Sequence, residues 1–219
     1  MTRGLFITFE GGEGCGKSTQ IRRLATRLER AGVEVVLTRE PGGTRLAELI
    51  RSLLKDEPED PPCDRSELLL FLAARAQLVR NVIRPALAAG KWVVSDRFSD
   101  STFAYQGYGR GLPLDFLRLA NDFACDGLRP DRTILLDVPP ETARKRMRAR
   151  EMATNVAADR IERAGEEFHA RLRAGFLEMA ASEPERIAMI DASGTPDEVE
   201  AKVASALGLP CSAQPGTEA

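Results

Sequence analysis

The chain has 219 residues, 43% of them hydrophobic and 29% charged, which suits one sizeable soluble α/β domain or one domain with a small insertion. A formal net charge of −2 excludes the basic surplus that marks a nucleic-acid binder, and no apolar run reaches membrane-spanning length. The cysteines (Cys15, Cys63, Cys125, Cys211) form neither a C-x-x-C pair nor a metal spacing, and the first strand starts almost at Met1, leaving no room for a signal peptide; a cytoplasmic protein with reduced thiols is expected.

The first expected strand, Leu5–Phe9, runs into Gly11-Gly12-Glu13-Gly14-Cys15-Gly16-Lys17-Ser18-Thr19, and a helical pattern covers Lys17–Arg30. Gly-x-x-x-x-Gly-Lys-Ser between a strand and a helix is a phosphate-binding loop. Its glycines let backbone N–H groups turn around a polyphosphate, and the helix start adds its positive dipole end. Residues Gly11 to Thr19 are therefore expected to bind a nucleoside triphosphate, with Lys17 on the outer phosphates and the Ser18 hydroxyl on Mg2+. A carboxylate in such a loop is repelled by the triphosphate, so Glu13 either accepts from a second ligand, such as a sugar hydroxyl, or faces solvent.

A second strand, Val33–Thr38, ends at Thr38-Arg39-Glu40-Pro41-Gly42-Gly43-Thr44, before a helix over Leu46–Leu54. Ligands bind at strand ends in open parallel sheets, where Arg39 could fork onto a phosphate or form a surface ion pair. Pro58, Pro61 and Pro62 make a loop of residues 56–64, and a helix follows over Ser66–Ala89. The third strand, Trp92–Ser95, ends in Asp96-Arg97, a carboxylate placed for magnesium beside a cation placed between phosphates. Then come a helix (Leu114–Asp126), a strand (Thr133–Val138) and a helix (Pro140–Arg150) carrying Arg144, Arg146, Arg148 and Arg150. The small, polar 151–159 stretch reads as a mobile connection to a helix over Arg160–Ala181, whose His169, the sole histidine, reads as structural. A strand (Ile187–Ile190), a helix (Pro196–Leu207) and an aperiodic tail from Pro210 complete the chain. Strands alternating with helices predict a five-stranded parallel sheet covered on both faces, of the P-loop NTPase type, as one domain over 1–209 with a lid at about 147–160 and a disordered tail over 210–219.

Phe9-Glu10-Gly11-x-Glu13-Gly14-x-Gly16-Lys17-Ser18-Thr19, Thr38 to Thr44, Leu70-Phe71-x-Ala73-Ala74-Arg75-x-Gln77, Asp96-Arg97-Phe98-x-x-Ser101-Thr102-x-Ala104-Tyr105-Gln106-Gly107 and Asp159-Arg160-Ile161-Glu162 occur in this order. The set resembles the bacterial thymidylate kinases from residue 5 to about 192. The resemblance implies transfer of the ATP γ-phosphoryl to dTMP, giving dTDP for dTTP synthesis. By the same resemblance Glu13 accepts from the dTMP 3′-hydroxyl, Arg39 and Arg97 hold its phosphate, and Glu40 orders their pocket. Phe71 stacks on thymine, Arg75 bonds a base oxygen, Arg51 lines the pocket, Thr102 and Gln106 touch the pyrimidine edge, and Tyr105 crowds the 2′ position. Arg146 is the adenine platform and Arg150 the lid arginine on the transferred phosphoryl, a role that Arg148 or Arg160 could also carry. Lys17, Arg97 and Arg150 are thus the catalytic cations, Ser18 and Asp96 the magnesium ligands, and a homodimer is implied. Another nucleoside monophosphate kinase is the first alternative. A GTPase-like switch would need an Asn-Lys-x-Asp segment and a nucleic-acid motor an Asp-Glu pair after a strand; the sequence has neither.

Overall fold

The computed structural model describes residues 3–55, 60–154 and 164–210. Five strands, β1 (Phe6–Glu10), β2 (Val35–Arg39), β3 (Trp92–Asp96), β4 (Arg132–Asp137) and β5 (Ile187–Asp191), form one parallel sheet in the order β2-β3-β1-β4-β5. The helices are α1 (Lys17–Arg30), α2 (Arg45–Lys55), α3 (Asp64–Leu78), α4 (Arg84–Ala88), α5 (Ser99–Thr102), α6 (Leu114–Cys125), α7 (Pro140–Thr154), α8 (Glu166–Ser182) and α9 (Pro196–Ala206). Each strand lies within about two residues of its expected position, because short apolar runs bounded by turns leave little room for another register.

Parallel strands bury both faces, and alternate residues supply the two layers. Ile7, Phe9, Val94, Ile134 and Leu136 pack against Leu24 and Leu28 of α1 and Val199 and Val203 of α9. On the opposite face Phe6 and Val93 meet Leu78, Ile83 and Leu87, while Leu135 and Ile187 meet Leu172 and Phe176 of α8. The order β3-β1-β4 brings the carboxyl ends of three strands around the glycine-rich loop. That crevice is where an open α/β sheet binds ligands.

Three stretches depart from the expected pattern. The helix expected over Ser66–Ala89 runs from Asp64 to Ala88 with a wider π turn at Val79–Ile83. Pro85 explains the widening: it has no N–H for the carbonyl four residues back, and its ring crowds that carbonyl. Ser99–Gly109 is helical although nothing in its composition predicts a helix, with a second π turn over Phe103–Gly109. Tertiary packing on α8 overrides propensity there: a Cβ on Gly109 would lie 2.5 Å from the Phe168 ring, so only glycine admits this contact. Finally, α7 continues to Thr154, so Glu151–Thr154 is helix where a connection was expected, and α8 begins at Glu166. Residues 155–160 of the expected lid, the Asp159–Glu162 motif and residues 211–219 lie outside the described residues. Among the described residues, no helix is long and apolar enough to cross a membrane.

Candidate active site

The loop after β1 reaches α1 through Gly16, which caps the helix in the left-handed region at φ 98°. Lys17 folds back over the loop, its Nζ donating to the carbonyls of Gly11 (3.1 Å) and Gly12 (2.9 Å). Ser18 Oγ donates to Asp96 Oδ2 at 3.3 Å, which brings the start of α1 to the end of β3. At Gly14 a Cβ would sit 2.6 Å from the Ala143 carbonyl, so α7 presses on the loop and excludes any side chain there. The Cys15 thiol is buried in the core beneath the loop, so its part in the loop is its backbone N–H, as for the glycines beside it. Together with Gly11 and Gly12 it borders a second, mostly apolar cavity between the loop, β4 and α8.

A cavity of about 610 Å³ on the other side of the loop is lined at one end by Glu13, Gly14, Gly16, Lys17, Ser18 and Thr19. At the other end stand Phe71, Thr102, Tyr105 and Gln106, with Arg97 and Asp96 between. Nine basic side chains line it against three carboxylates, so a chain of net charge −2 concentrates positive potential in this one crevice. Arg97 is its hub. Its backbone is left-handed at φ 71°, a strained position for a side chain, held by its N–H on Phe9 O (2.9 Å) and by Ser95 Oγ on its own carbonyl (2.7 Å). The guanidinium donates to Gly11 O, Ser101 Oγ and, most closely, Glu13 Oε1, and it lies 4.9 Å over the Tyr105 ring. Burial works against its charge, but Tyr105, Glu13, Asp96 and Glu10 around it raise its pKa well above the ordinary value. Glu13 thus turns into the cavity rather than to solvent, with Arg150 Nη1 a further 3.9 Å from its other oxygen. Burial alone would raise its carboxyl; Arg97, Lys17 and Arg150 outweigh it and pull the pKa down to about 2.

The expected acceptor residues gather around this hub, with different commitments. Arg39 forks onto Glu48 (2.9 and 3.0 Å), the surface ion pair that was its other reading, while still lining the cavity. Arg51 donates to Pro41 O at 2.9 Å. Arg75 is 1% exposed and largely spent: Nε and Nη2 bond Glu40 at 2.6–3.1 Å, Nη2 also bonds Phe98 O, and Nη1 bonds Asn121 Oδ1 at 2.7 Å. Of its five N–H groups one, on Nη1, has no partner among the described residues. Tyr105 both lines the cavity and packs edge-on against Phe168 and Phe176; its hydroxyl is buried with no partner among the described residues. Arg146 donates to Ala192 O (3.0 Å) in the loop after β5, which sets its guanidinium beside that loop at the cavity wall.

Sequence reasoning missed a layer of buried acids beneath these residues, because nothing local marks a carboxylate as buried. Asp100 bonds Arg186 and Thr133 and ties α5 to the β4–β5 edge. Glu10, fully buried at the end of β1, accepts from Phe98 N (2.8 Å), Ser101 N (3.3 Å) and Ser101 Oγ (2.6 Å). Burial, with Asp100 adding, pushes its carboxyl up from 4.5 to about 7. The folded state then holds a proton that the unfolded chain has lost between those pH values, so stability falls as pH rises through that window. Glu10→Gln keeps the acceptor for both N–H groups and supplies a donor to Ser101. It is expected to gain about 1–3 kcal/mol over the parent at pH 8 and little at pH 4.5, read from urea unfolding. Equal differences at the two pH values would refute this.

A family model for thymidylate kinase matches residues 9–203. The thymidylate kinase of Trichlorobacter lovleyi is 47% identical over 204 residues, covering 93% of this chain and 96% of its own. That of Solidesulfovibrio magneticus is 50% identical over 206 residues, covering 93% and 99%. Among solved structures, thymidylate kinase from Ehrlichia chaffeensis superposes with a TM-score of 0.73 at 38% identity, covering 94% of this chain and 99% of that one.

Proposed function

This chain belongs to the thymidylate kinase family, and from that premise we propose how its own residues divide the work of the reaction. It phosphorylates dTMP to dTDP with ATP as the donor. The observation that carries the residue assignments is that one cavity is lined by Lys17 and Ser18, by Phe71 and Gln106, and by the Arg97–Glu13 pair where two phosphates would meet.

The nucleophile is an oxygen of the dTMP phosphate, already anionic, so no general base is needed. The obstacle is repulsion: two unit charges 4 Å apart cost about 4 kcal/mol at an effective dielectric near 20, and both reactants carry more than one. Catalysis is then alignment and charge neutralisation. Lys17 leaves the Gly11 and Gly12 carbonyls for the outer ATP phosphates, Arg97 spans donor and acceptor phosphates, and Arg150 moves from Glu13 onto the transferred group. Glu13, held ionised by its cations, accepts from the 3′-hydroxyl of dTMP. Arg39 and Arg97 hold the acceptor phosphate, while Glu40 and Arg51 shape the pocket wall. Phe71 stacks on thymine, Arg75 gives its remaining N–H to the base, Thr102 and Gln106 meet the pyrimidine edge, and Tyr105 excludes a 2′-hydroxyl. Arg146 is the adenine platform.

The residues present also fit Mg2+. Among the described residues no group of three His, Cys, Asp or Glu side chains could hold a metal alone, but Ser18 Oγ beside the Asp96 carboxylate suits an ion that takes its other ligands from phosphates. Such an ion would neutralise phosphate charge. The kinase domain extends over 1–209 and the protein acts in the cytoplasm. It acts as a homodimer through the α2, α3 and α6 layer. Leu46, Leu49 and Leu53 form an exposed stripe on α2, and Phe116, Leu119 (74% exposed) and Phe123 (91% exposed) form another on α6. Leu119→Glu/Phe123→Glu is expected to shift the sedimentation velocity of a micromolar solution from dimer to monomer; a monomeric parent protein would remove this part.

With ATP, turnover is expected to be fastest for dTMP when dUMP, UMP, AMP and GMP are compared, and activity confined to AMP or GMP would overturn the acceptor reading. Arg150→Ala should lower kcat about 100-fold while the KM for dTMP stays within about threefold, since a lid cation acts mainly on the transition state. Equal losses in both would make Arg150 a binding residue instead.

A further inference from the structure

Beneath the base end of the cavity lies a carboxylate with no assigned task. Glu67, in the first turn of α3, is 1% exposed and bonds Gln106 of the π turn, 39 residues away. Gln106 Nε2 donates to Glu67 Oε1 at 2.9 Å. Arg110, just after the π turn, braces the same carboxylate from the side, with Nε 3.2 Å from Oε1 and Nη2 3.0 Å from Oε2. Asp64 lies 3.3 Å from Arg110, and Phe168 of α8 receives the guanidinium at 5.2 Å, so the brace is anchored on three elements.

A glutamine amide is ambiguous by itself, since a half-turn exchanges donor for acceptor. A carboxylate removes the ambiguity: it accepts only, so the –NH2 must face Glu67 and the carbonyl oxygen must take the other side. Gln106 lines the cavity, and Glu67 is the one hydrogen-bond partner of its side chain among the described residues. We propose that Glu67 is a positioning residue that locks the Gln106 amide with its oxygen toward the base, so that the site takes pyrimidines carrying a hydrogen at N3 and rejects those whose N3 carries a lone pair. Thymine has that hydrogen and cytosine does not. Facing cytosine, the locked oxygen meets another acceptor, and neither can be satisfied. This rests on the placement of Gln106 against the base edge given above.

The test is the ratio of the dissociation constants for dCMP and dTMP, measured by equilibrium binding to the full chain. Glu67→Gln can present either face of its own amide, which frees Gln106 to turn. The ratio should fall about tenfold or more, with kcat for dTMP within about threefold of the parent. Gln106→Leu should lower the ratio similarly, and adding Glu67→Gln to it should lower the ratio no further, because the two act as one unit. A Glu67→Gln ratio within twofold of the parent, or an equal fall in the Gln106→Leu background, overturns the positioning role. A Gln106→Leu ratio equal to the parent's refutes instead the placement of Gln106 on the base. Should Glu67→Gln fail to fold, Glu67→Asp keeps the charge but withdraws the acceptor by one methylene. An intermediate ratio then supports the lock, and an unchanged ratio overturns it.

Discussion

Lys17→Ala is expected to lower kcat by about a thousandfold or more while the protein stays folded. Among the described residues the Nζ donates to the Gly11 and Gly12 carbonyls and lies 3.6 Å from Cys15 Sγ. Losing those contacts leaves the Gly11 carbonyl its bond from Arg97 (3.0 Å) and the half-buried Gly12 carbonyl within reach of water, so the fold loses little. The reaction loses a cation poised where negative charge gathers in the transition state, and single preorganised donors of that kind carry about 100–1,000-fold in rate. A lysine also supplies net charge against repulsion that no remaining group in the loop can cancel. Steady-state kinetics with ATP and dTMP, set beside a thermal melt, decides the matter: kcat within tenfold of the parent, at an unchanged melting temperature, would remove Lys17 from the chemistry.

Arg75→Met should have the largest effect on stability. Removing the guanidinium strands Glu40, whose side chain is 4% exposed, and takes one donor each from the Phe98 carbonyl and Asn121 Oδ1. Breaking a buried ion pair from one side costs about 3–5 kcal/mol, which for a domain of this size lowers the melting temperature by about 10 °C. The sign of the pH dependence follows from Glu40. Burial already pushes that carboxyl up, and without Arg75 the main force pulling it back is gone. The variant should therefore lose more stability at pH 8 than at pH 5, where the stranded acid can take a proton. Glu40→Gln in the same chain should recover part of the loss. A melting temperature within 2 °C of the parent would show that the pair contributes little to the fold.

Much of this protein was legible in its residue order. The Gly11–Thr19 loop is a local object: contiguous glycines set the backbone, and the strand before and helix after it are visible as short periodic runs. Asp96-Arg97 and Thr38–Thr44 could be placed at strand ends for the same reason, and Asp96, Arg97, Arg39, Glu40 and Pro41 of these segments line one cavity. What local pattern could not supply is which neighbours those side chains choose. Arg75 reads as a base contact one helical turn from Phe71, yet Glu40 and Asn121, 35 residues before it and 46 after it, claim most of its donors. Cys15 sits in the loop motif and still turns its thiol into the core.

The residue order by itself determined the strand–helix alternation, the phosphate loop and the cation-rich ends of the strands, since each depends on residues a few positions apart. Only the tertiary structure decided the helical path of Ser99–Gly109, the left-handed turn at Arg97 and the buried acids Glu10, Glu67 and Asp100. Those depend on desolvation and on partners brought together across the sheet, as Thr8 and Thr133 are at 2.8 Å across 125 residues. Burial is a property of the assembled layers, and no window of sequence contains it.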